Sequence, residues 1–232
     1  MTKREDKRDV VVMKKGLSAK TLSDLPPGSV VGTSSIRRTA QLARRYPHLK
    51  VTDVRGNIDT RLSKLDAEDS PYSCLILAAA GLLRLDHGDR ISQYLDSKSG
   101  NMLYAVGQGA LGIEIRKDDQ LMHEMLRAIG HPETTFECLA ERNLLRVLEG
   151  GCSAPLGVET EWVNQSDGTE KKLRLRAIIV SVDGSESAEI ENDASIDSPD
   201  AAEAFGVTVA KTLVARGGGK ILQDIQESKK SA

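Results

Sequence analysis

With 32 Lys and Arg against 34 Asp and Glu, this 232-residue chain has a net charge of −2 and no basic excess with which to hold a nucleic-acid backbone. Aromatic residues make up 3%, which leaves few stacking platforms and calls for aliphatic cores. No apolar run is long enough to span a bilayer, and the charged residues 1–9 lack the apolar stretch of a secretory leader. Cys74, Cys138 and Cys152 are an odd number without a Cys-x-x-Cys pair. That argues against a disulfide framework or a zinc site and for a reducing compartment, the cytoplasm. The length allows one large domain or two to three small ones.

The apolar run at 10–13 suits a buried strand. Residues 17–27 read as a connecting turn of helix ending at Pro26-Pro27. A strand at 29–32 feeds the turn Thr33-Ser34-Ser35, and a helix follows over 36–46, stopped by Pro47. A strand at 49–54, a helix at 58–67 and a strongly apolar strand at 72–78 complete the series. Strand and helix alternating at this spacing predict parallel βαβ units with right-handed crossovers. Residues 82–95 are expected to be helical. The segment 101–114 carries three glycines in six positions. It reads either as an extended crossing, with glycine for close approach or hinging, or as a core strand with a bulge. Helices are expected at 120–129 and from His131-Pro132 to 149, where Gly150-Gly151 ends the second. Antiparallel strands follow at 158–163, 172–182 and 187–191, with turns at Asp167-Gly168 and Asp183-Gly184. Ser198-Pro199 starts a helix with Ala202, Phe205, Val209 and Leu213 on one face. A last helix at 220–226 precedes a loose polar tail.

Between Val31 and Lys64 eight Lys or Arg face two Asp. Arg37 and Arg38 open one expected helix, Arg55 sits in a Gly-Asn turn, and Arg61 lies just inside the next helix. Cations are disfavoured at helix N-termini, where the macrodipole is already positive. A bound polyanion removes the conflict, because free N–H groups, hydroxyls and guanidinium forks then converge on carboxylates or phosphates. A solvated basic face is the alternative, and the one adopted for Arg44, Arg45 and Lys50. In a parallel sheet the loops after the strands share one edge. Arg84 therefore joins the set by topology. Cys152, behind two glycines on an irregular loop, is placed for access; a free cysteine otherwise behaves as a small hydrophobe, as read for Cys74 and Cys138.

Four motifs carry a resemblance that covers nearly the whole chain. They are Gly-Thr-Ser-Ser-Ile-Arg-Arg at 32–38, Arg-Gly-Asn-Ile-Asp-Thr-Arg-Leu-Ser-Lys-Leu at 55–65, Ala-Val-Gly-Gln-Gly-Ala-Leu-Gly-Ile-Glu at 105–114 and Leu-Glu-Gly-Gly-Cys-Ser-Ala-Pro-Leu-Gly at 148–157. Together they closely resemble the hydroxymethylbilane synthase, or porphobilinogen deaminase, family. The resemblance implies an α/β chain with a parallel βαβ domain at 10–105, like that of periplasmic solute-binding proteins. Residues 1–9 and 106–117 would be a linker and a crossover strand belonging to the family's first domain, and 118–232 a small α+β domain carrying the cofactor. It implies condensation of four porphobilinogen units, with loss of ammonia, into a linear tetrapyrrole by a monomeric, cytoplasmic enzyme, without nucleic acid, membrane or metal. It implies a dipyrromethane held covalently by Cys152. Thr33, Ser34, Ser35, Arg37, Arg38, Arg55, Gly56, Arg61, Arg84 and Gln108 would bind the acetate and propionate groups of the cofactor and the growing chain. The family's catalytic Asp belongs to a His-Ser-x-Lys-Asp motif, and the only Lys-Asp here, Lys117-Asp118, follows Arg116 in another context. No catalytic residue is assigned on this reading, and most of the first domain is expected to be missing. The alternative is a non-catalytic anion-binding module or an inactive truncated form.

Overall fold

The computed structural model describes residues 1–148, 154–164 and 171–230; Gly150, Gly151, Cys152 and the turn expected at Asp167-Gly168 lie outside them. Strands β1 (Asp9–Met13), β2 (Val30–Gly32), β3 (Lys50–Thr52), β4 (Cys74–Ala78) and β5 (Gln93–Leu95) form one sheet in the order β3-β2-β4-β1-β5. Helices α1 (Ile36–Arg45) and α2 (Ile58–Asp66) connect β2 to β3 and β3 to β4. These three strands run parallel, as the spacing predicts.

β1 departs from the parallel expectation: it runs antiparallel to both β4 and β5. A parallel return needs a crossover, usually a helix. The turn of helix expected within 17–27 is a single 3-10 turn, Leu22–Asp24, too short to bring the chain back in the parallel sense. β1 is buried on both faces. Val11 packs with Leu42, Ile76 and Leu95, while Val10 and Val12 pack with Leu65, Leu75 and Leu77. This is why it reads as a continuous apolar run instead of an alternating one.

The helix expected over 82–95 is also corrected. Helix α3 (Ala79–Arg84) gives way to a 3-10 turn at Gly88–Arg90 and then to β5. Asp86, at φ 56°, turns the chain out of α3 in the left-handed conformation that short polar side chains tolerate.

A three-stranded antiparallel sheet, β6 (Leu156–Asn164), β7 (Lys171–Val180) and β8 (Ser187–Ala194), carries helices α5 (Pro132–Val147), α6 (Pro199–Leu213) and α7 (Gly219–Lys230). Leu144, Val158, Leu173, Leu175, Phe205, Val209 and Leu213 fill the space between them. α7 runs beyond the expected 220–226 and takes in much of the tail. The two sheets meet at residues 103–104. Leu103 packs on Ala40, Ile178 and Val180. The Gln41 amide donates to Leu103 O at 2.9 Å and accepts from Leu103 N at 2.8 Å. Tyr104 exchanges backbone bonds of 3.0 and 2.8 Å with Val158.

Residues 105–119 contain no strand. A Cβ on Gly109 would stand 2.8 Å from Glu5 O, so close approach, not a bulge, explains that glycine. The crossover strand expected within 106–117 does not form, because no neighbouring strand among the described residues takes up its backbone. Leu111 and Ile113 are left 52% and 50% exposed. Helix α4 (Gln120–Ala128) beyond it has no buried residue. Among the described residues no helix is long and apolar enough to cross a membrane.

Candidate functional site

Because β2, β3 and β4 are parallel, the turns at 33–35 and 53–57 and the start of helix α3 lie along one edge of the sheet. Each turn is built by local chemistry. Ser35 caps α1 by accepting from Arg38 N, and Asn57 caps α2 by accepting from Thr60 N at 2.8 Å. Gly56 stands at φ 123°, where a Cβ would also run into the Thr60 side chain. Thr33 is buried, its N–H donates to Thr52 O at 3.0 Å, and the Ser34 hydroxyl donates to Val54 O at 2.7 Å. Ile58 packs against Gly81, which brings the starts of α2 and α3 together.

Arg37 and Arg38 lie in the first turn of α1 and are buried. Both reach Asp9, the first residue of β1, which is fully buried. Arg37 Nη1 donates to Asp9 Oδ2 and to Leu103 O, each at 2.6 Å. Arg38 donates to Asp9 Oδ1 from Nε at 3.2 Å and from Nη2 at 2.8 Å, and its Nη1 donates to Ile76 O at 2.7 Å. Gln108 Nε2 completes the cluster, donating to Asp9 Oδ1 at 3.0 Å and to Lys7 O at 2.8 Å. Burial favours the neutral form of Asp9, but the two guanidinium groups outweigh it and hold the carboxyl well below its usual range. Burial and the like charge of Arg38 push Arg37 down despite Asp9. Among the described residues Asp9 is the only carboxylate paired with either arginine, so two cations share one anion.

The remaining expected residues stand on the same edge but outside this cluster. Arg55 is exposed and pairs with Asp53 at 3.0 Å. Arg61 Nε donates to Gly56 O at 2.7 Å, and Arg84 Nη2 donates to Gly109 O at 2.8 Å, next to Gln108. The structure therefore gathers Arg37, Arg38 and Gln108 on one carboxylate and leaves Arg55, Arg61 and Arg84 in separate contacts. Cys152, the expected attachment point, is outside the described residues.

Asp9 went unread in the sequence, although an acid directly before a continuous apolar run was a legible sign of a buried charge. A second network also went unread. Arg4 grips Glu141 with two bonds of 2.7 and 2.9 Å, and its Nε donates to Gln108 O at 2.8 Å. Gly107 N donates to Glu141 Oε2 at 2.7 Å. Helix α5, which leads into residues 149–153, is thereby tied to the residue that holds Asp9. A cavity of about 360 Å³ opens beside Arg4, Lys7, Tyr104 and Glu137. Arg4 and Lys7 there are already paired with Glu137 and Glu141, so the edge occupied by α1 and α2 is the better candidate for a ligand.

These features define a class: an α/β protein with a cationic cluster at the helix-start edge of a largely parallel sheet, joined to a small antiparallel unit. Residues 1–124 match the family model described as porphobilinogen deaminase, dipyromethane cofactor binding domain, and residues 135–215 match the porphobilinogen deaminase C-terminal domain. The porphobilinogen deaminase of Debaryomyces hansenii is 53% identical over 96% of this chain and 60% of its own length. That of Yarrowia lipolytica is 55% identical over 96% and 63%, and that of Schizosaccharomyces pombe 49% over 99% and 67%. The chain belongs to the porphobilinogen deaminase family, and it spans roughly three fifths to two thirds of the length of these curated relatives.

Proposed function

We propose that this chain works as a hydroxymethylbilane synthase, condensing four porphobilinogen units with release of ammonia into a linear tetrapyrrole of porphyrin and haem biosynthesis. The observation that carries this reading is the buried Asp9–Arg37–Arg38 cluster, which lies inside the segment matched to the cofactor-binding domain. One positive charge there is unbalanced, and a carboxylate ligand neutralises it at the least desolvation cost. Porphobilinogen and its oligomers carry acetate and propionate groups, so the chemistry of ligand and donors agrees.

The donor set likewise fits a dipyrromethane, which supplies the primer on which the chain grows. Cys152 would hold it covalently. Arg37 meets a carboxylate in the crevice, while Arg55, Arg61 and Arg84 meet the side chains of later rings from the exposed edge. Thr33, Ser34, Ser35 and Gly56 shape the two turns, and Gln108 steadies Asp9. Arg38 places three of its five N–H donors on Asp9 and Ile76 and so supports the site from behind. We read the chain as a cytoplasmic monomer acting on small molecules, without nucleic acid or membrane. Free Cys74 and Cys138 support a reducing compartment.

Incubating the purified chain with porphobilinogen and following uroporphyrin absorbance after oxidation tests the activity. Turnover refutes the non-catalytic alternative, and an inert chain would leave a non-catalytic anion-binding module. Intact mass gives a second readout: an added dipyrromethane that Cys152→Ser abolishes.

A further inference from the structure

Arg37 and Arg38 are neighbours in sequence, but their bonding is not equivalent. Arg38 has every nitrogen engaged: Nε and Nη2 on Asp9, Nη1 on Ile76 O. Arg37 uses Nη1 alone, on Asp9 and Leu103 O. Its Nε and Nη2 have no partner among the described residues. They are not sealed in either, since the described side-chain nitrogens and oxygens that are both buried and unpartnered are Arg44 Nε and Trp162 Nε1. The Nε/Nη2 edge is one that matches a carboxylate fork.

We infer that Asp9 is the positioning residue of this site: by taking one nitrogen of Arg37 and two of Arg38, it turns the free Nε/Nη2 edge of Arg37 toward a ligand carboxylate. The inference deepens the functional reading above and rests on it. Asp9 suits the task because its own position is over-determined. It sits in β1 between Ala78 of β4 and Leu95 of β5, so its backbone cannot follow the arginines. Gln108 closes Oδ1 from the far side and is itself held by Arg4 through its carbonyl. Without the carboxylate, two like charges in a buried place repel, and Arg37 loses the contact that fixes its plane.

The test uses the full chain with porphobilinogen as the probe. Titration calorimetry on Asp9→Asn, which keeps the shape and removes the charge, is expected to show at least a tenfold loss of affinity. Arg37→Lys keeps the charge and Asp9 but has no forked edge, and is expected to lose as much; it also serves if Asp9→Asn does not fold. Affinity within twofold of the unsubstituted chain in either folded variant overturns the inference. Arginine side-chain NMR on the ligand-free chain reads the positioning separately. The Arg38 Nε–H is expected to exchange slowly and to lose its protection in Asp9→Asn while backbone amides of the sheet keep theirs. Unchanged protection overturns the inference even if the unsubstituted chain takes up no porphobilinogen, a result that would count against the functional reading instead.

Discussion

Asp9 is ionised inside the protein because two guanidinium groups lie on it, and this makes it a source of pH dependence. Its carboxyl is held below the ordinary 3.8, so the stability it contributes is present above about pH 4 and is lost as pH falls toward the depressed value. Asp9→Asn leaves two buried cations uncompensated and is expected to destabilise the chain by about 3–5 kcal/mol at pH 7. Urea unfolding over a pH series checks the sign: the gap between the two proteins should narrow below pH 4, and a gap that widens would contradict the assignment. The described thiols behave in the opposite way. Burial pushes Cys74 up to about 12, and burial with the nearby Glu141 carboxylate pushes Cys138 up to about 11. Neither is expected to react with iodoacetamide in the native protein at pH 7, which mass spectrometry of the labelled peptides would show. Prompt labelling of either would mean that the cores open far more readily than their packing implies.

At the level of elements, helix α6 is held against α5 by a near-contact of backbones. A Cβ added to Gly206 would stand 2.1 Å from Ala140 O, with the Ala140 backbone on every nearby side. Alanine in a helix interior ordinarily stabilises by about 0.5–1 kcal/mol over glycine. Here the steric clash is larger, because overpacking a core costs about 1–3 kcal/mol and the obstacle is backbone that cannot rotate away. Gly206→Ala should therefore lower the urea midpoint, and a raised midpoint would show that the helices can separate freely. The α6 face of Ala202, Phe205, Val209 and Leu213 was legible from its spacing. The need for glycine at 206 was not, because it depends on Ala140 of α5, 66 positions earlier in the chain.

Across the whole molecule, packing is uneven. The two sheets are joined through Gln41, Leu103 and Tyr104, and Gly184 lies against the backbone of Ala43 and Arg44. By contrast α4 buries nothing, and Leu121 and Met125 on it are 71% and 59% exposed. Regions with few buried apolar contacts open at the low end of the stability range. Hydrogen-exchange mass spectrometry should find α4 amides exchanging well before those of α5, where Cys138, Ala140 and Leu144 are fully buried. Equal protection of the two helices would refute this account.

What the sequence determined by itself was local. Periodicity, capping residues and turn glycines were enough for the parallel trio β2, β3 and β4, the antiparallel sheet β6–β8 and the arginines at the start of α1. The 82–95 helix failed because the left-handed turn at Asp86 outweighed an apolar pattern that strand and helix share. Only the tertiary structure decided what those arginines touch. Asp9 and Arg37 are 28 positions apart, and they meet because β1 enters the sheet antiparallel between β4 and β5. Periodicity reports which face of an element is buried; which buried charge lies opposite another is set by strand order, and strand order is a property of the assembled sheet.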